Sequence, residues 1–182
     1  MKTHNGLYRR IACALSSVCL ATGLLAQMEP APSQAPGAGA SQTESKLSHH
    51  DRSFLKSAAK AGMKEVAISQ AVMAQLSNPQ AKLLAQAMIT AHSAANAELA
   101  ALAARKGFEL PKEDADIASD WARKIDVDGK YIKEMVSDHE EAVKLFEKGA
   151  KSDDPDIAAF AQKALPTLQH HLMMAEDLKK SL

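Results

Sequence analysis

The chain has 182 residues, room for one domain. Its 22 basic and 22 acidic residues balance, which argues against a nucleic-acid binder, since that function requires a basic face to neutralise phosphates. Hydrophobic residues make up 46% and aromatic ones only 4%; much of the apolar content is alanine, which suits close-packed helices better than sheets.

The first 26 residues read as a signal peptide. Lys2, Arg9 and Arg10 form a positive n-region, and Ile11 to Ala26 is an apolar run too short for a comfortable membrane span. Cleavage is expected after Ala26, with Ala21 as the alternative site and an uncleaved anchor as the competing reading. Ser16, Ser17 and Val18 make a poor lipobox before Cys19. Both cysteines, Cys13 and Cys19, fall in this segment, so the mature protein is expected to have neither disulfides nor thiolate chemistry. Removing three basic residues and no acidic one leaves it mildly acidic. Residues 27–50, rich in Pro, Ala, Gly, Ser and Gln, are expected to form a disordered linker, because they offer too little apolar surface to offset their ordering entropy.

Residues 51–182 carry four long helical patterns. The first spans about 52–76, with Phe54, Ala58, Ala61, Glu65, Ile68, Val72 and Leu76 in steps of three and four. Asn78 then serves as N-cap and Pro79 as first residue of the second helix, whose stripe includes Ala85, Met88, His92, Leu99 and Leu102, and which ends at Gly107. The third begins after Asp128, carries Ile132, Met135, His139, Ala142 and Phe146, and ends at Gly149. The fourth opens at Asp153-Asp154-Pro155 and carries Ile157, Ala161, Ala164, Leu168, His171, Ala175 and Leu178. Four such stripes predict an all-α fold, a ferritin-like four-helix bundle. Residues 113–125, with Ile117, Trp121 and Ile125 on one side, predict a short extra helix between the second and third. The connection holding it crosses the bundle or decorates one end. Glu140/Lys144, Glu147/Lys151 and Glu176/Lys180 are spaced as solvated i,i+4 pairs.

Each stripe contains one residue foreign to an apolar core: Glu65, His92, His139 and His171. All four sit within about one helical turn of their helix midpoints, so they share a level whichever way each helix runs. Buried groups of this kind must pair, neutralise or bind something. One Glu and three His suit a divalent transition metal such as zinc, copper, iron or manganese. A metal-free hydrogen-bonded network that sets helix register is the competing reading, and rotation of some stripes toward water is a third.

The residues three before the histidines are Ile89, Val136 and Leu168, so the E-x-x-H pairs of di-iron bundles are absent and chemistry of that kind is not expected. Pro166 lies inside the fourth helix and should kink it shortly before His171. His170 lies beside that stripe, and His49 and His50 fall at the linker's end. Asp126, Asp128 and Gly129 lack the spacing of a calcium loop.

These same residues carry a resemblance. Ser53-Phe54-Leu55, Glu65-Val66-Ala67, Met88 with His92, and Ala95 to Leu99 are followed by Tyr131-Ile132, Met135 to His139, Leu165 to Leu168 and His171-Leu172. In that order, over residues 51–180, the chain is similar to the domain of unknown function 4142 family. The resemblance implies a ferritin-like helical bundle, export to the periplasm or outer membrane, and an interior Glu/His site, without an established reaction. Ala91 departs from the acidic residue that the family usually has before the second helix's histidine.

Two functions of different class remain. One is a non-catalytic or weakly redox-active envelope bundle binding a transition metal at Glu65, His92, His139 and His171. The other is a structural or stress-linked periplasmic module that binds another envelope protein, its polar core metal-free. The charged, Ala-rich exterior shows no second apolar face for strong membrane binding by the mature domain.

Overall fold

The computed structural model describes residues 47–181. The expected signal segment and most of the expected linker lie outside the described residues. Five helices follow one another: α1 His49–Val72, α2 Pro79–Arg105, α3 Ala115–Ala122, α4 Val127–Gly149 and α5 Pro155–Lys180. No strand occurs among the described residues, so the domain is all-helical as expected.

Each long helix is bounded by local chemistry. The Ser48 hydroxyl accepts from the backbone N–H of Asp51, and the Asp51 carboxylate accepts from that of Ser48. This reciprocal cap starts α1 at His49, before the expected boundary at Asp51. His49 and His50 are therefore exposed first-turn residues of a helix rather than the end of a tether. Asn78 and Asp154 cap α2 and α5, each followed by proline at the first helical position. Gly107, with φ 63°, takes the left-handed turn after α2, while Gly107 and Phe108 donate back to the carbonyls of Ala104 and Ala103. The short helix is shorter than expected. It stops at Ala122, which leaves Ile125 81% exposed, whereas Trp121 is buried.

The expected stripes are the buried faces. Only Ala61, Ala95, Ala164 and Leu178 on them keep intermediate exposure, and none faces fully into water. Of the expected surface pairs, none is an ion pair among the described residues; Lys180 binds Asp177 instead, at 2.9 Å.

The core has two apolar halves. One joins Phe54 and Leu55 of α1, Leu99 and Leu102 of α2, Phe146 of α4 and Phe160 of α5. The other joins Ile68, Val72, Leu84, Met88, Ile132 and Met135 with Ala175. The N-terminal part of α1 thus meets the C-terminal parts of α2 and α4, so α1 and α5 run one way while α2 and α4 run the other. Short turns make α1/α2 and α4/α5 closely packed hairpins, which meet through α1–α4 and α2–α5. The segment 106–126 therefore travels from one end of the core to the other, with α3 laid against α1. This answers the question that periodicity left open. Among the described residues, no helix is long and apolar enough to cross a membrane.

Asp128, in the first turn of α4, accepts from the Ser77 and Asn78 backbone N–H groups at 3.0–3.1 Å and from the Ser77 hydroxyl at 2.6 Å. The residue that faintly suggested a calcium loop instead holds the α1–α2 turn. Burial raises its carboxyl pKa, but these bonds more than offset that and hold it below the usual 3.8. Its contribution is thus present above the unfolded-state value and fades as pH falls through the folded one. We expect Asp128→Asn to lower urea stability by about 1 kcal/mol near neutral pH, with the difference from wild type shrinking below pH 3.8.

Gly149 ends α4 where a Cβ would overlap the Phe54 ring. That ring is locked edge-on to Phe146 and Phe160, with centroids 5.2 and 6.5 Å away. Gly149→Ala should destabilise the domain by about 1–3 kcal/mol in urea unfolding, overpacking outweighing the gain in helix propensity.

Candidate metal centre

The four interior polar residues meet between the two apolar halves, one from each long helix. Glu65 is 1% exposed, His92 6%, His139 0% and His171 4%. Pairwise, the three imidazole centroids lie 5.4–5.5 Å apart. One ring nitrogen from each of the three lies within 4.8 Å of the others, an arrangement able to hold a metal ion. His170 is exposed, so the periodicity chose the right one of the two adjacent histidines.

The carboxylate sits among these rings without hydrogen bonds. His92 Nε2 is 2.7 Å from Glu65 Oε2, yet its N–H is not directed at that oxygen, and neither Glu65 oxygen has a hydrogen-bond partner. His139 Nδ1 is 3.5 Å from Glu65 Oε1 but donates instead to the Met135 carbonyl at 2.9 Å. A carbonyl only accepts, so the proton is on Nδ1 and the Nε2 lone pair of His139 is free. His139 Nε2, His171 Nδ1 and His92 Nε2 are all buried and unpartnered. Buried polar atoms are nearly always satisfied, and here five without partners converge from four helices.

Protonation follows the same environment. Burial pushes the Glu65 carboxyl up, but the contact with His92 and the charges of the three imidazoles hold it below the usual carboxylate range. Burial lowers His139, and burial with the neighbouring imidazoles lowers His171 to about 4. At neutral pH the cluster therefore combines an ionised carboxylate with at least two neutral imidazoles. Those are the protonation states a metal requires of its ligands. Tetrahedral coordination at ordinary zinc–nitrogen lengths places nitrogens roughly 3.3 Å apart, a contraction of about 1.5 Å across the widest pair.

Neighbouring residues hold the cluster in place. Ser69, one turn beyond Glu65, shares a buried 2.8 Å hydrogen bond with Tyr131, two turns before His139. Lys64 bridges α1 to α4 with bonds of 2.7 Å to both Glu134 and Asp138. Burial raises Asp138 to about 6. Sequence reasoning passed over these supports. The i+4 step from Glu65 to Ser69 on a buried face was the signal for the first.

Fold and cluster together define an all-helical domain with a carboxylate–imidazole centre in its core. The chain belongs to the family described as Domain of unknown function (DUF4142), which it matches over residues 36–178. It is also similar to a solved structure, a DUF305 fragment from Deinococcus radiodurans, with 11% sequence identity and a TM-score of 0.64. That similarity covers 74% of this chain and 98% of the other, and at such identity it shows the fold alone. No curated protein matches the chain.

The imidazoles repay the desolvation of Glu65 in the metal-free protein, but a buried pair of this kind rarely gains more than well-packed apolar residues would in its place. Metal-free Glu65→Leu should therefore unfold in urea at the same or higher concentration than metal-free wild type. A loss of more than about 2 kcal/mol would instead mark the cluster as structural glue.

Proposed function

We propose that this is an exported bacterial envelope protein whose ferritin-like four-helix bundle binds one divalent transition metal ion through Glu65, His92, His139 and His171. The observation that carries the reading is the convergence of five buried, unpartnered ligand atoms on one level of the core. Two hairpins joined by a connection running the length of the core support the bundle class. The positive n-region and apolar run before Gln27 support export.

Three imidazoles and a carboxylate, with no thiolate, suit zinc, copper, iron or manganese. A single carboxylate suits one ion rather than a carboxylate-bridged pair. In this arrangement the Met135 carbonyl fixes the His139 tautomer, and the Ser69–Tyr131 bond ties α1 to α4 beside the ligands. When bound, the metal would act as a Lewis acid and a positive centre in an otherwise apolar core.

The test is elemental analysis of protein beginning at Gln27, purified without chelator and reconstituted with each metal in turn. We expect about one ion per chain in wild type and near-complete loss in Glu65→Gln/His139→Ala, with helicity retained by circular dichroism. Metal far below stoichiometry after reconstitution would overturn the proposal.

A further inference from the structure

A cleft of about 290 Å³ opens on the α2–α5 seam, with α1 and α4 at its floor. It exists because the helices lining it are trimmed. Ala58 and Ala61 on α1, Ala95 on α2 and Ala164 on α5 stand where a bundle core ordinarily interdigitates large side chains. At the same height Asn96 lies so close over Gly62 that a Cβ there would overlap its side-chain oxygen. Asn96 thus fills the space at Gly62, whereas the space beside the alanines stays open as the cleft.

The lining is two-sided in character. Phe146, Phe160, Leu99 and Leu168 form an apolar wall, while Glu65 and His92 bring the edge of the polar cluster to the cleft. Both Glu65 oxygens and His92 Nε2 are buried there without partners. His139 and His171 do not line it. At the mouth, Lys163 binds Glu98 at 2.8 Å, with both side chains largely in solvent. The cleft thus ends against Glu65 and His92, whose ligand atoms lie just behind its inner wall, and it opens past small residues and an exposed ion pair.

An ion among all four ligands would sit behind the inner end of this cleft and leave its largely apolar volume free. We infer that the cleft admits a small molecule with one nitrogen or oxygen donor on a compact apolar body, its donor reaching the centre beside Glu65 and His92. This inference rests on the metal-binding reading of the same cluster. With four ligands supplied by the chain, the donor would add as a fifth on the cleft side, an expansion of the shell that such centres allow. The apolar body takes the space that the alanines leave.

The experiment uses cobalt(II)-loaded protein beginning at Gln27, its visible spectrum reporting the coordination shell. Titration with 4-phenylimidazole should shift the bands to saturation, with at least tenfold tighter binding than imidazole, since the phenyl ring buries against the apolar wall. Ala95→Leu and Ala164→Leu fill the cleft while keeping all four ligand residues. Both should still take up cobalt but weaken 4-phenylimidazole binding by at least tenfold. Cobalt uptake with a spectrum unmoved by 4-phenylimidazole would overturn the cleft assignment and leave the metal reading standing. So would a shift equal in wild type and in both leucine variants, or equal affinity for the two probes. Failure to take up cobalt would overturn both readings.

Discussion

The four long helices of this domain meet around a carboxylate that has been taken out of water and left facing only imidazoles. Glu65 is buried at the middle of α1, faced by three imidazoles. Desolvation of a charge is among the most expensive steps in folding, so a core that tolerates it must supply compensation or carry a function for which the penalty is accepted. The surrounding imidazoles outweigh the effect of burial and keep the carboxyl ionised. They do not satisfy it. The apolar halves above and below supply the cohesion that lets this polar layer persist.

The unusual composition acquires a meaning in that setting. Alanine lets helices form readily, but it leaves space where larger residues would interlock. Around Phe54 the space is filled by a cluster of three aromatic rings, tight enough that Gly149 must lack a side chain. Along the α2–α5 seam it is not filled, and the gap extends to the edge of the polar layer. A chain with few aromatic residues has thus placed three of them to seal one end of the core while leaving the flank open.

How much of this could be read in advance follows from the physics. Stripes at steps of three and four expose the buried face of each long helix, and residues such as Ile68, Met88, Ile132 and Ala161 are fully buried as read. Because a helix midpoint is independent of direction, the common level of Glu65, His92, His139 and His171 was also legible. The start of α1 is masked by the linker-like composition that runs up to it, although Ser48 and Asp51 have the spacing of a reciprocal cap. Ile125 was misplaced because periodicity does not announce where a short helix stops. The path of 106–126, the Ser69–Tyr131 bond and the cleft depend on which faces meet in space. One-dimensional spacing holds no record of that.

The division of the chain into hairpins has a consequence for how the molecule comes into being. Glu65 and His92 belong to the α1/α2 hairpin, His139 and His171 to α4/α5, and the segment 106–126 is the long passage between them. Contacts within a hairpin close short loops, whereas those between hairpins must wait for a long one. Neither half holds a complete ligand set, so the centre is assembled in the same event that joins them. The polar layer therefore acts as a record of maturation: only a chain whose two halves have met can display it.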